Sequence, residues 1–365
     1  MIQIKLLLKI GYTIKTLNQS FGTKMANSNF GPRLTNDRSF PFTGSAEQQL
    51  EFLLRYAILA PSHYNSQPWK FRLNAGGLEI LEDVARCANI VDPHFRELTI
   101  SCGAAISMIE VAARNFGYVT SVSFPEKNQS EVLARVELIN KHDTSDQDKL
   151  LFQAIKHRQT NRGWFTDAVI PENVVKSCNA TAKELDVDVV FTSETRLKEE
   201  FASLTAMAVR QQISMPWYRL EFSSWLRSPF SFKSDGLTGF GFFKSDLPLP
   251  ITKTAMLWFN HGKKIGDFNR NKVVSGSPIL AVMSTHADSK ESWINTGRIL
   301  SRLLLELTSV GLSASFLNQA IQESSLRNQV RSLFGCEANP QLILRIGTGE
   351  KVRWTPRIAV DDCLV

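Results

Sequence analysis

Between Ala60 and Trp69 the sequence reads Ala-Pro-Ser-His-Tyr-Asn-Ser-Gln-Pro-Trp. Ser62, Asn65 and Gln67 offer hydroxyl and amide groups there from a short, proline-bounded backbone. Side chains that both donate and accept suit a flat ring edged with several acceptors. His63 has the residue type of a general base, yet a lone histidine in a polar loop is more often a structural hydrogen bonder. A second run, His157-Arg158-Gln159-Thr160-Asn161-Arg162-Gly163-Trp164-Phe165, sets two arginines four apart with a hydroxyl between them. Guanidinium groups grip phosphate through paired, charge-assisted hydrogen bonds. The plain alternative is a pair of cations at a helix C-terminus, favoured there by the helix dipole. Near the end of the chain, Arg345-Ile346-Gly347 closes a strand and Arg353-Trp354-Thr355-Pro356-Arg357 follows in extended conformation, where arginines are usually solvated edge charges. Gly311 to Asn318 reads as a turn that offers backbone amides.

The elements that must position these residues follow from periodicity. Leu53 to Ala60 reads as a helix that Pro61 ends, and the alternation after Trp69 as a strand over Phe71–Leu73. A strand at Leu78–Leu81, a helix near 95 to 117 and a strand at Val132–Leu138 complete the first part. Leu98, Ile100, Ile106, Met108, Ile109 and Val111 leave that long helix little polar surface, so it is central. From about 150 the pattern runs through helices at Pro171–Leu185 and Glu194–Gln212 around a strand at Val187–Phe191. Strand Pro278–Met283, helix Trp293–Val310, a helix near 323 to 334 and strand Gln341–Ile346 follow. Each part thus pairs a buried long helix with strands, an architectural echo in an α+β chain. Met215 to Phe243 is an irregular, aromatic insert containing Trp217, Tyr218, Phe222, Trp225 and Phe230, read either as ordinary core or as a lid over a flat ligand. Residues 1 to 21 have amphipathic helical spacing with lysines between, and 25 to 45 are rich in Ser, Asn, Gly and Pro, like a linker.

Composition narrows the chemistry. The chain has 365 residues with 42 Lys and Arg against 35 Asp and Glu, and the cations are scattered rather than blocked. No nucleic-acid motif accompanies that charge, which suits an anionic small molecule equally well. The five cysteines are widely spaced and form no Cys-x-x-Cys pair, which argues for free thiols in a reducing, cytoplasmic setting and against a zinc site. No apolar run reaches the ~20 residues of a membrane span. No Walker loop, Gly-x-Gly-x-x-Gly, Gly-x-Ser-x-Gly elbow or Ser/His/Asp constellation is present, so borrowed cofactor chemistry is the economical expectation.

The segments then combine. Ala-Pro-Ser-x-x-Asn-x-Gln-Pro-Trp at 60 to 69, Asp92-Pro93-x-x-Arg96-Glu97-Leu98, Arg158-x-Thr160-Asn161-Arg162-Gly163-x-Phe165, Ser234-Asp235-Gly236-Leu237, and Pro340-Gln341-Leu342-x-Leu344-Arg345-Ile346-Gly347 before Thr355-Pro356-Arg357 stand in this order. Together they resemble the Acg-like, FMN-binding branch of the nitroreductase superfamily over about residues 46 to 365. The resemblance implies a nitroreductase-like α+β fold in which two tandem halves, 46–145 and 146–365, form an intrachain pseudo-dimer. Residues 1–45 stand outside it as an N-terminal helix and linker, and the insert at about 215–245 becomes an aromatic lid. It implies FMN at the junction, with Arg158, Thr160, Arg162 and Arg357 on the phosphate and ribityl side. Ser62, His63, Asn65 and Gln67 would face the ring, and Leu317, Asn318 and Gln319 would approach flavin N5. The implied activity is hydride transfer from NADH or NADPH through FMN to a small electron-poor acceptor, a nitroaromatic or quinone. The alternative is a protein that sequesters or stores the flavin under a closed lid. The implied partners are small molecules, with no nucleic acid and no membrane span, in a monomeric pseudo-dimer that associates further or stays alone.

Overall fold

A computed structural model describes residues 31–74, 77–125, 131–228, 231–238, 257 and 261–365. The expected N-terminal helix at 1–21 and the part of the insert holding Phe230, Phe240, Phe242 and Phe243 lie outside them.

In chain order, helix α1 (Ala46–Ala57) leads to strands β1 (Trp69–Asn74) and β2 (Gly77–Glu82), then α2 (Arg96–Asn115), β3 (Tyr118–Ser123) and β4 (Val132–Lys141). Helices α3 (Asp146–His157) and α4 (Glu172–Glu184) precede β5 (Asp188–Thr192), α5 (Thr195–Ser214) and α6 (Pro216–Trp225). Two short strands, β6 (Leu226–Arg227) and β7 (Leu237–Thr238), pair in parallel before α7 (Gly262–Ser275). Strand β8 (Ile279–Thr285), α8 (Lys290–Ser309), β9 (Ser313–Phe316), α9 (Gln319–Gln322), α10 (Ser324–Leu333) and β10 (Asn339–Gly347) close the order. Local chemistry sets several starts: Ser45, Ser145 and Ser289 each cap a helix in a reciprocal capping box with the residue three further on. β3, β6, β7, β9, α6, α7 and α9 stand beyond the elements expected from periodicity. β3 is half-exposed throughout and β9 is only four residues long, so neither carries a strong hydrophobic alternation.

The two large sheets repeat one plan. The first runs β1-β2-β4-β3 and the second β5-β8-β10-β9, all neighbours antiparallel. In each, the long helix, α2 or α8, lies in sequence between the second and third strands. The two helices meet through glycines in reciprocal positions. A Cβ on Gly103 would stand 2.1 Å from the Ile294 carbonyl oxygen, and a Cβ on Gly297 would stand 2.0 Å from that of Ile100. Because Ile100 precedes Gly103 by three residues, as Ile294 precedes Gly297, each helix offers the same Ile-x-x-Gly face to the other. Seventeen of the twenty residues of α2 are buried, as its apolar girth predicts.

Two peripheral segments pack onto this frame. The C-terminal residues lie along the edge of the first sheet, where Phe71 N donates to Cys363 O at 2.9 Å and Val365 N donates to Phe71 O at 3.0 Å. At the other end, residues 31 to 45 do more than link. Phe40 is buried and stacks on Phe116 with ring centres 4.1 Å apart, and the Tyr56 hydroxyl donates to Asp37 at 2.6 Å.

Candidate functional site

The loop after α1 is held in a conformation that side chains resist. Tyr64, Asn65 and Gln67 have φ values of 51°, 57° and 55°, a left-handed region that costs about 1–2 kcal/mol per non-glycine residue. Hydrogen bonds from remote parts of the chain hold it there. Gln67 N donates to Ser62 Oγ at 2.9 Å, Gln67 Nε2 donates to Ser234 O at 2.8 Å, and Gln67 Oε1 accepts from Ile358 N at 2.9 Å. Asn65 O accepts from Gly236 N, and Asn65 Nδ2 donates to Pro356 O. Gln67 is fully buried and its amide is used at both ends, so its side chain braces the loop, contrary to the expectation that it faces a ring.

A cavity of about 260 Å³ opens beside this loop. Ser62 and Asn65, from the loop after α1, line it together with Arg158, Thr160 and Arg162, from the segment after α3, and Arg357, past β10. Leu237 and Thr238 of β7 close one side, and Lys351, Val352, Arg353 and Thr355 another. Arg158 caps the C-terminal end of α3, with its N–H on Ala154 O. Its guanidinium nevertheless points inward: the residue is 2% exposed, and only Nη2 has a partner, Leu59 O at 3.5 Å. The same carbonyl accepts from Arg357 Nη2 at 3.3 Å, while Arg357 Nη1 donates to Asn65 Oδ1 at 2.7 Å and Thr355 Oγ1 at 2.6 Å. Behind them lies Arg33, also buried, with Nη1 on the Lys156 carbonyl at 3.0 Å.

None of Arg33, Arg158 and Arg357 pairs with a carboxylate among the described residues, and Nε of all three and Nη1 of Arg158 are buried without a partner. Burial, and then the Arg33 charge, push Arg158 down to about 9. Burial alone takes Arg33 and Arg162 to about 10. Arg357 lies well below the usual guanidinium range through burial, Arg33 and Arg158. For Arg33, Arg158 and Arg357 these directions mark positive charge out of water with no carboxylate partner among the described residues, so a bound anion would be stabilised here.

The remaining expected residues gather in a different place, around Glu97 of α2. Glu97 is buried; its carboxylate lies 3.3 Å from His63 Nδ1 and accepts from Asn318 Nδ2 at 3.2 Å and from Gln322 Nε2 at 3.0 and 3.1 Å. Asn318 Oδ1 accepts from Ile343 N, Leu317 is buried in apolar surroundings, and Gln319 Oε1 is buried without a partner. His63, Leu317, Asn318 and Gln319 therefore do not line the cavity; they meet across the boundary between the two sheets. His63 also packs against Tyr64, the rings tilted by 35° with centres 3.9 Å apart. Tyr64 in turn packs edge-on against Phe222 of α6, and its hydroxyl is 3.5 Å from that of Tyr218. The described part of the insert thus covers the 60s loop; Asp235 ties it to the body through Arg86 at 3.3 Å and pairs within the insert with Arg227 at 2.8 Å. Its aromatic residues are not uniformly buried: Tyr218 and Phe222 are, while Trp217 and Phe232 are 69% and 74% exposed.

Arg33 is the residue that the sequence did not signal. An isolated arginine in a stretch of Ser, Asn, Gly and Pro belongs to no periodic pattern, and its neighbours here are more than 120 residues away.

No protein-family model matches the chain. Curated proteins of Mycobacterium tuberculosis do. One, named "Putative NAD(P)H nitroreductase acg", is 25% identical over 342 residues, covering 88% of this chain and 97% of that protein. An uncharacterised protein is 26% identical over 336 residues, 86% of this chain and 92% of its own. Among solved structures, the FMN-dependent nitroreductase NfnB of Mycobacterium smegmatis in complex with NADPH is 16% identical and covers 60% of this chain and 97% of its own, with a TM-score of 0.37. A Bacteroides fragilis nitroreductase with bound FMN gives 12% identity, 57% and 95% coverage and again 0.37. Scores this low define no chain-wide correspondence. The sequence similarity spans nearly nine-tenths of the chain and almost the whole of that Acg protein, so this chain resembles the Acg-like nitroreductases along most of its length.

Proposed function

We propose that this chain is an FMN-dependent NAD(P)H oxidoreductase of nitroreductase type, its halves dividing near residue 145 and imitating two subunits. The observation that carries the reading is the pair of buried arginines, Arg158 and Arg357, unpaired with any carboxylate among the described residues, at a cavity that Ser62 and Asn65 also line. Their orphaned donors fit a phosphate, and Thr160 adds a hydroxyl beside them. Relatives named as NAD(P)H nitroreductases supply the class of reaction.

Arg158 and Arg357 would hold the phosphate, with Thr160 and Arg162 beside them. Ser62 and Asn65 would meet the rest of the cofactor from the other half. FMN, when bound, supplies the redox chemistry, taking hydride from NADH or NADPH and reducing an electron-poor acceptor such as a nitroaromatic or a quinone. The chain itself needs no acid or base for that exchange; it needs positive charge and donors fixed in advance. His63, Leu317, Asn318 and Gln319 would act through the Glu97 network that joins the halves, rather than from the cavity wall. All five cysteines are free, which fits a cytoplasmic enzyme working as one chain on small molecules. Among the described residues no helix is long and apolar enough to cross a membrane.

The packing of α6 on Tyr64 favours a second reading, in which the insert keeps nicotinamide out and the protein sequesters FMN. Anaerobic stopped-flow absorbance separates the two. Bleaching of the bound flavin by NADH or NADPH is the expected result; reduction by dithionite but by neither nucleotide would sink the enzyme reading and leave sequestration.

A further inference from the structure

Arg33 is 4% exposed, although nothing in its local sequence calls for burial. Its Nη1 donates to the Lys156 carbonyl at 3.0 Å, and its guanidinium carbon lies 5.4 Å from the centre of the Trp354 ring. Lys156 stands two residues before Arg158, and Trp354 three before Arg357. Arg33 is therefore wedged between the two chain segments that deliver the other buried arginines. Those two converge on one carbonyl, Leu59 O, just past the end of α1. Carbonyls at a helix C-terminus carry partial negative charge, enough to orient guanidinium groups but too little to neutralise three of them. Among the described residues, the buried Nε of each arginine has no partner, and neither has Nη1 of Arg158.

The segment that brings Arg33 here is anchored independently of it. Asp37 accepts from the Tyr56 hydroxyl and from Lys156 Nζ, both at 2.6 Å, and Phe40 stacks on Phe116. Such anchoring holds a third like charge near two others, an arrangement that repels itself until an anion arrives. Burial and mutual repulsion accordingly shift the guanidinium groups of Arg158 and Arg357 downward, the Arg33 charge contributing to both.

We propose that Arg33 is the third arginine of the anion site, so that residues 31 to 40 dock on the body of the protein cooperatively with a phosphate monoester dianion. The N-terminal segment is then part of the binding site and not a tether. This rests on the flavin reading only for the identity of the molecule that carries the phosphate.

The test compares full-length wild type, R33Q and R33K by titration with FMN and with riboflavin, which lacks the phosphate, and by thermal melts in rising inorganic phosphate. R33Q is expected to weaken FMN at least tenfold while riboflavin changes less than twofold, with R33K between R33Q and wild type. Phosphate should raise the melting temperature of wild type and have little effect on R33Q. Equal losses for both flavins would make Arg33 merely structural and overturn the proposal, as would unchanged FMN affinity in R33Q. Wild type that binds neither flavin, yet gains a phosphate stabilisation that R33Q loses, would keep the anion site and remove the flavin reading. No response to flavin or phosphate would remove both. R33M, which keeps an apolar stem against Trp354, carries the same comparison if R33Q does not fold.

Discussion

At the residue scale, the contrast between Ser62 and Gln67 shows what a backbone decides. Both are polar, both lie in one short loop, and both read as contacts for a ring. Three left-handed residues between and around them turn Ser62 and Asn65 toward the cavity and bury the Gln67 amide against Ser234 and Ile358. Gln67→Ala should therefore act as a loss of stability, by about 2–3 kcal/mol in urea unfolding, because it orphans the buried Ile358 N–H and the Ser234 carbonyl. The double change R158A/R162A should act on binding. Charge-assisted hydrogen bonds contribute about 1.5–3 kcal/mol each, so FMN affinity should fall by roughly 100-fold or more while the melting temperature of the cofactor-free protein holds or rises. An unchanged FMN titration would remove the phosphate assignment.

Another residue-scale expectation concerns pH. Asp288 is raised by partial burial but more strongly lowered by Arg327, Gln341 and Trp293, and its carboxyl sits at about 2. A depressed carboxylate contributes stability that is complete above its unfolded value near 4 and is lost as pH falls toward 2. Asp288→Asn should thus cost about 1 kcal/mol at pH 7, a third of the side chain being open to screening water. The gap from wild type should be narrower at pH 3, which paired denaturation curves at the two pH values would measure.

At the scale of elements, the decisive contact is that of α2 with α8. The apolar girth of both helices was readable as centrality, but the Ile-x-x-Gly pairing of Ile100 and Gly103 with Ile294 and Gly297 was not. Its meaning depends on which backbone each glycine faces. Backbone atoms cannot retreat as a flexible side chain can, so Gly297→Ala should destabilise by about 3 kcal/mol or more and Gly103→Ala comparably. Chemical denaturation of each variant checks this. A cost below 1 kcal/mol would mean that the helices separate without penalty.

For the whole molecule, the ends of the chain matter as much as its middle. The last residues pair with the edge of the first sheet, and Ile358 N closes on Gln67. A chain ending after Arg357 should keep every cavity residue yet melt several degrees lower and bind FMN more weakly, since Arg357 would lose the ordered segment that follows it. Circular dichroism melts with a parallel FMN titration would report both effects.

By itself the sequence determined the α+β class, the two buried helices, the polar loop at 60–69 and the Arg158-x-Thr160-x-Arg162 run. Each of these is written in local spacing, as periodicity or as residue types a few positions apart. Tertiary structure decided that Arg33 lies between the segments of Arg158 and Arg357, that the Gln67 amide is spent on Ser234 and Ile358, and that His63 meets Asn318 through Glu97. Those outcomes depend on which distant segments share a small buried volume. Charge repulsion, desolvation and hydrogen-bond satisfaction act across space there, and no spacing along the chain encodes them.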